Sequence, residues 1–153
     1  MRIQFQNILC ATDFSDYSNR ILPHALALAR EFQARLYVCH VIELHSAALF
    51  GEVHFNSAEI QSANMELAHE QLQRLMAKEN LAWEPLVTVG SAPDEIARLA
   101  HEKGIDLVIS GTHGRSGLKR LILGSVTERL MRILPCPLLV VRSTDQGGFE
   151  GRS

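Results

Sequence analysis

The sequence lacks the marks of a membrane protein or a nucleic-acid-binding protein. No apolar run approaches the roughly 20 residues that span a bilayer, and the opening MRIQFQNILC is too short and too polar for a signal peptide. Fifteen basic residues stand against 17 acidic ones, a net charge of −2, so no excess of positive charge favours an anionic partner. We therefore expect a cytoplasmic protein that binds neither nucleic acid nor a membrane.

Disulfides and metal clusters are not expected either. The chain has only three cysteines, without CxxC spacing, and all lie in or beside apolar runs: Cys10, Cys39 and Cys136. In that setting they are expected to be reduced, buried and structural. Three histidines are close in sequence, but no cysteine or acidic residue completes a ligand set: His40, His45 and His54. We therefore expect no metal site in the protein itself.

Two familiar phosphate-binding motifs are missing as well. GxxxxGK followed by Ser or Thr occurs nowhere, which excludes the usual NTPase P-loop, and no GxGxxG follows the first predicted strand. A phosphate site, if present, must therefore use another arrangement of glycines.

What the 153 residues do contain is a regular alternation of two patterns. Short apolar, β-rich runs predict strands at residues 7–11, 35–42, 82–89, 106–110 and 138–142. Apolar residues at helical spacing predict four helices, with Ser15 and Ser91 able to cap two of them, at residues 15–32, 57–78, 94–102 and 124–134. This alternation predicts an α/β/α sandwich around a parallel sheet.

We expect one domain over residues 1–143, with a long loop at 43–56 and a flexible tail at 144–153. In a doubly wound sheet of five parallel strands in the order 3-2-1-4-5, the strand order reverses between strands 1 and 4. Ligands bind at such a reversal, beyond the carboxyl ends of the strands. The loops there are residues 11–13 and the glycine-rich segment 111–117.

That segment has the chemistry of an anion site. Glycines let the backbone approach a bulky ligand, and Gly124-Ser125 lies at a predicted helix N-terminus, where free N–H groups favour a phosphate. The hydroxyls of Ser125 and Thr127 can add hydrogen bonds, and nearby basic residues add positive charge: Arg115, Lys119 and Arg120. The alternative is a plain surface loop followed by a serine-capped helix.

The same residues resemble the universal stress protein family. The spacing G-x2-G-x9-G-S/T, from Gly111 to Ser125, and the opening ILCATDFS are similar to that family's nucleotide-binding segments. The similarity extends from about Asn7 to Arg142. It implies a Rossmann-like α/β fold, a homodimer and bound ATP, since the glycine spacing is typical of the family's ATP-binding branch.

The resemblance also implies roles for individual residues. Asp13 would contact the ribose, although on its own it reads as a turn or helix-capping residue. Ala11 and Thr12 would lie beside the nucleoside, and the Val41 backbone would bind adenine. The phosphates would be held by Gly111, His113, Gly114, Gly124, Ser125 and Val126, and the predicted site is completed by Thr112, Arg115 and Thr127. Any Mg²⁺ would be held mainly by the nucleotide. A catalytic role for His113 is the less favoured alternative.

The last predicted strand, 138–142, is apolar and has neither a lysine nor an internal proline to protect its edge, so it predicts a homodimer. The favoured function is an ATP-binding stress-response module that acts as a sensor or regulator of other proteins. A slow ATP hydrolase or phosphotransferase is the alternative, and an interaction protein with a vestigial site is a third possibility.

Overall fold

The computed structural model describes residues 1–43, 58–112 and 123–142. The strands are β1 (Asn7–Ala11), β2 (Arg35–Ile42), β3 (Trp83–Val89), β4 (Leu107–Gly111) and β5 (Leu138–Val141). The helices are α1 (Asp16–Phe32), α2 (Ala58–Met76), α3 (Ala92–Glu102) and α4 (Ser125–Ile133). These bounds agree with the sequence prediction to within two residues. Apart from Glu43, the predicted loop at 43–56 lies outside the described residues, as does the predicted tail at 144–153.

The five strands form one parallel sheet in the order β3-β2-β1-β4-β5, which confirms the predicted topology. In the register of the central strands, Cys10 pairs with Val38 on one side and with Ile109 on the other. The strand order therefore reverses between β1 and β4, where a doubly wound sheet is expected to bind its ligand.

Each face of the sheet has its own apolar core, because successive side chains of a strand point to opposite faces. Ile8 and Cys10 of β1 pack with α1 and α2, whereas Leu9 packs with α3 and α4. β1 is buried on both faces, which explains why its sequence shows an unbroken apolar run.

Helix α3 begins two residues earlier than predicted. Ser91 occupies the capping position, but its hydroxyl makes no capping hydrogen bond to a backbone N–H of the first turn. Pro93 fits the first turn because its missing N–H would have no partner within the helix. Ser15, in contrast, caps α1 as predicted, with its hydroxyl accepting from the Ser18 N–H at 3.2 Å.

The buried face of α2 is narrower than its sequence pattern indicates. Ala68, Leu72 and Met76 are buried, but Ile60 and Leu67 are exposed. Within the described parts of the chain, no helix combines the length and the apolar character needed to cross a membrane.

All three cysteines are free thiols, as predicted. Burial raises the pKa of Cys10 and of Cys39 to about 12, so both thiols stay protonated and are poor nucleophiles. Cys136 differs from the prediction because it is only half-buried: it follows α4 in the connection to the edge strand, which has fewer neighbours to cover it.

Candidate functional site

The carboxyl ends of β1 and β4 are neighbours in the sheet, so the two predicted binding loops begin side by side. Residues Ala11 to Asp13 leave β1, and Gly111 and Thr112 leave β4. The structure therefore brings together the two segments that the sequence analysis selected separately.

Thr12 is buried, and the protein itself uses its polar groups. Its N–H donates to the Cys39 carbonyl at 2.8 Å, and its hydroxyl oxygen accepts from the Phe14 N–H at 3.0 Å. Its carbonyl accepts from Nδ1 of His40 at 2.9 Å. These bonds give Thr12 the role of anchoring the loop to β2.

Asp13 is half-buried and organises the turn into α1. Its Oδ1 accepts from the Ser15 N–H at 2.9 Å and from the hydroxyls of Ser15 and Ser18. The Asp13 N–H in turn donates to the Ser18 hydroxyl at 3.1 Å. The turn-and-capping role considered for Asp13 is thus present, and it fixes the carboxylate at the carboxyl edge of the sheet.

An apolar wall lies next to these polar groups. Ala11, Val41 and Val126 come from three different elements, yet all three pack against the core cluster on the α3–α4 face of the sheet. Each is only partly buried, so each can contribute surface to a ligand. Small apolar side chains of this kind suit the face of an adenine ring.

Hydrogen bonds close the connection between β4 and α4. The Gly124 N–H donates to the Thr112 carbonyl at 3.1 Å, and the Thr127 hydroxyl donates to the Gly111 carbonyl at 2.8 Å. Thr127 is only 2% exposed, so its hydroxyl holds the helix against the strand. The end of β4 and the start of α4 therefore meet at one point.

Gly124 lies at a close contact between the two segments. Its φ of −57° is open to any residue, but a Cβ at this position would lie 3.0 Å from the Thr112 carbonyl oxygen. The glycine thus allows the backbone of the helix start to approach the backbone of the strand end.

The first turn of α4 offers backbone donors at this junction. Gly124 occupies the capping position and, as a glycine, has no side chain of its own to cap the helix. The first N–H groups of a helix have no partner within it, and the helix dipole adds partial positive charge there. Ser125 is exposed at this end. The other predicted phosphate contacts, His113, Gly114 and Arg115, lie outside the described residues.

Two polar contacts hold α3 and α4 in place beside the site. Arg129 of α4 bonds Asp94 of α3 at 2.8 Å, and this hydrogen bond lowers the pKa of Asp94. On α3, Glu95 bonds Arg98 and Thr88, and the hydrogen bond from Arg98 is the main reason that its pKa is lowered. These contacts link α4 to α3 and α3 to β3.

The sequence analysis did not assign His40, Phe14 or Ser18 to the site. His40 was considered only in connection with metal binding, and no cluster of metal-binding side chains exists in the described ranges. The available signal was a histidine inside the apolar run of β2, one residue beyond the partner of Ala11. A buried polar residue at that position must hydrogen-bond a neighbouring segment.

The fold is that of a doubly wound α/β protein, a class that binds its ligands at the strand-order reversal. A model of the universal stress protein family matches residues 4–142. The chain is 34% identical over 147 residues to universal stress protein YxiE of Bacillus subtilis, covering 90% of this chain and 99% of that relative. The chain therefore belongs to the universal stress protein family, as the sequence resemblance predicts.

Solved structures agree with this assignment. The structure of MJ0577, a universal stress protein of Methanocaldococcus jannaschii, matches with a TM-score of 0.80 at 26% identity, covering 94% of this chain and 100% of that one. A universal stress protein solved in complex with cAMP has the same fold, with a TM-score of 0.64 at 24% identity over 92% of this chain and 98% of its own.

Proposed function

We propose that the protein binds ATP at the crevice between β1 and β4 and acts as a nucleotide-dependent sensor or regulator of other proteins in the cytoplasm. The observation that carries the proposal is the junction of β4 and α4. There, the start of α4 at Gly124, a capping residue without a side chain, is hydrogen-bonded to the strand end beside the reversal of the strand order. Such a helix start favours a phosphate.

The phosphates would lie over the first turn of α4. Among the residues that the structure describes, their contacts would be Gly111, Gly124, Ser125 and Val126. The predicted contacts at Thr112 and at residues 113–115 would complete the set. Thr127 would act indirectly in this arrangement, because its hydroxyl already bonds the Gly111 carbonyl. Any Mg²⁺ would be held by the phosphate oxygens of the nucleotide.

The nucleoside would lie on the apolar wall formed by Ala11 and Val41, with the Val41 backbone bonding adenine. The Asp13 carboxylate would accept hydrogen bonds from the ribose hydroxyls, the kind of contact that an acidic residue farther along the chain makes in dinucleotide-binding folds. Thr12 would position this loop, since its polar groups bond β2 and Phe14.

ATP titration of Asp13→Asn tests the site without removing the turn. The amide oxygen of asparagine can still accept from the Ser15 N–H, but the negative charge is lost. We expect binding to weaken by about tenfold, because hydrogen bonds to charged groups contribute roughly 1.5–3 kcal/mol. Asp16→Asn is the matched control, since Asp16 is exposed three residues away. Equal affinity in wild type and Asp13→Asn would refute the ribose contact.

Mass spectrometry of small molecules released from the purified protein tests the identity of the ligand. A released adenine nucleotide, together with saturable ATP binding, supports the proposal. Failure of the wild type to bind ATP at millimolar concentration would refute it. The alternative, a slow ATP hydrolase or phosphotransferase, is tested by turnover with and without Mg²⁺, where release of phosphate above the protein-free rate would favour it.

We also propose that the protein is a homodimer joined through β5. This strand is at the sheet edge, where the Pro137 carbonyl accepts from the N–H of Val108 in β4 and the Val141 carbonyl accepts from the N–H of Thr112, directly after β4. Because alternate residues of a strand face opposite neighbours, the Val140 backbone points away from the sheet. Exposed apolar side chains lie on β5 and on α4: Leu139, Met131 and Ile133. An unprotected edge of this kind favours pairing with a second copy.

Sedimentation of Val140→Pro tests the dimer. Proline removes an N–H that faces outward, so the pairing with β4 can persist while pairing with a second copy is blocked. We expect a monomer for Val140→Pro and a dimer for the control Val140→Ala, which keeps the N–H. A dimer that survives the proline would refute pairing through this edge.

A further inference from the structure

We infer that His40, a buried histidine of β2, positions the Asp13 carboxylate for its ligand by holding the residues on either side of it. This inference rests on the proposed ribose contact of Asp13. His40 is a positioning residue in this arrangement, since it acts through the loop that follows β1.

The first contact of His40 is with Thr12. The imidazole is 8% exposed, and its Nδ1 lies 2.9 Å from the Thr12 carbonyl oxygen. A carbonyl oxygen only accepts hydrogen bonds, so Nδ1 must carry a proton. The bond crosses from β2 to the end of β1, next to the bond between the Thr12 N–H and the Cys39 carbonyl. The backbone of Thr12 is thus fixed to β2 at both its N–H and its carbonyl.

The second contact is with Phe14, whose backbone is unusual. Its φ of +62° is in the left-handed region, where a bulky side chain is rarely found. Its ring lies against the imidazole of His40, with 4.4 Å between ring centroids and 35° between planes. A strained backbone of this kind persists only when its surroundings hold it, and such residues cluster at ligand sites.

One imidazole therefore contacts both chain neighbours of Asp13. With Thr12 and Phe14 fixed, the peptide groups of Asp13 have little freedom. The carboxylate is then presented at the β1–β4 crevice while its Oδ1 bonds Ser15 and Ser18. Loss of His40 would leave a carbonyl without its donor and would remove the ring contact of a strained phenylalanine, whose other packing is against the core on the α1–α2 face.

The first measurement is independent of any nucleotide. The Ser15 N–H donates to Asp13 Oδ1, so its exchange with solvent, followed by NMR, reports the position of the carboxylate. We expect the exchange to accelerate by about tenfold in His40→Leu, which keeps bulk and loses the donor. His40→Asn can place an amide N–H where Nδ1 was. In this variant the Ser15 N–H should exchange nearly as slowly as in the wild type. His24→Leu is the matched control, since His24 is exposed on α1.

The second measurement compares ATP with 2′-deoxyATP. If His40 aligns Asp13 with the ribose, His40→Leu should reduce the preference for ATP to the level seen in Asp13→Ala. Adding His40→Leu to Asp13→Ala should then change ATP affinity by less than about twofold, because the effects of substitutions at two residues that act through one another are not additive. A general structural defect would instead weaken the binding of both nucleotides equally, and its effect on ATP affinity would add fully to that of Asp13→Ala.

The outcomes separate the two proposals. Unchanged Ser15 exchange in His40→Leu overturns the positioning role, as does accelerated exchange with an unchanged preference for ATP. If the wild type binds no nucleotide, the proposed function fails, and the exchange measurement alone decides whether His40 holds the turn. Recovery of slow exchange and of the ATP preference in His40→Asn supports the inference in full.

Discussion

Replacing Thr127 by valine is expected to loosen α4 from the end of β4. The Thr127 side chain is 2% exposed, and its hydroxyl donates to the Gly111 carbonyl at 2.8 Å. Valine has nearly the same shape, so packing persists while the carbonyl loses its donor. An unsatisfied buried polar group costs about 1–3 kcal/mol. Gly111 is only half-buried, so water can partly replace the hydroxyl. We therefore expect the free energy of unfolding to fall by about 1–2 kcal/mol.

Urea and thermal unfolding measure this loss. In a chain of this length each kcal/mol lowers Tm by about 2–4 °C, so we expect a decrease of about 2–8 °C. Thr127→Ser is the matched control because it keeps the hydroxyl and loses only a methyl group. The valine variant should also bind ATP more weakly, since the first turn of α4 is displaced. A valine variant as stable as the wild type, or a serine variant as unstable as the valine one, would refute the role of the hydroxyl.

Three further predictions concern stability and the site. Asp106→Ala should lower the free energy of unfolding, measured in urea, by about 2 kcal/mol. The Asp106 carboxylate accepts from the backbone N–H groups of Gln6 and Asn7, at 2.7 and 2.8 Å, where β1 begins. An unchanged urea midpoint would contradict this prediction. The pKa of Glu95 is lowered mainly by its hydrogen bond with Arg98, so its contribution to stability is present above its ordinary value of 4.5 and is lost as the pH falls through the lowered value. Unfolding measured across pH should therefore show a weaker loss of stability in acid for Glu95→Gln than for wild type, and parallel curves would contradict this. Gly124→Ala should lower Tm and weaken ATP binding, because the added Cβ would lie 3.0 Å from the Thr112 carbonyl oxygen; a wild-type Tm would show that the junction relaxes without cost.

The strands, the helices and the strand order could be predicted because they depend on local patterns. The apolar run of β1 and the helical spacing of α1 are each visible within one segment, and a doubly wound sheet has few possible strand orders. The reversal between β1 and β4 then followed, and with it the pairing of Asp13 with the glycine-rich segment. The exposed face of α2 shows the limit of such patterns, since Ile60 and Leu67 fit the helical period without being buried.

The contacts within the site could not be predicted, because they join residues far apart in the sequence. The hydroxyl of Thr127 could have pointed to a ligand or to the protein, and both uses suit the first turn of a helix. The structure shows that it bonds the Gly111 carbonyl, 16 residues earlier. Similarly, His40 could be judged only once the sheet register placed it beside the residue that follows Ala11. In both cases the residue type restricted the side chain to polar partners, and the topology selected which partner it reached.

These two contacts tie the short segments at the ends of β1 and β4 to neighbouring elements. On each side of the crevice a buried side chain, His40 or Thr127, donates to a backbone carbonyl where a central strand ends. Both carbonyls belong to residues of the predicted binding segments, Thr12 and Gly111. A ligand that bonds these loops would therefore meet backbone that is already ordered, and less conformational entropy would be lost on binding. It follows that His40→Leu and Thr127→Val should weaken ATP binding independently, because each fixes a different wall of the crevice.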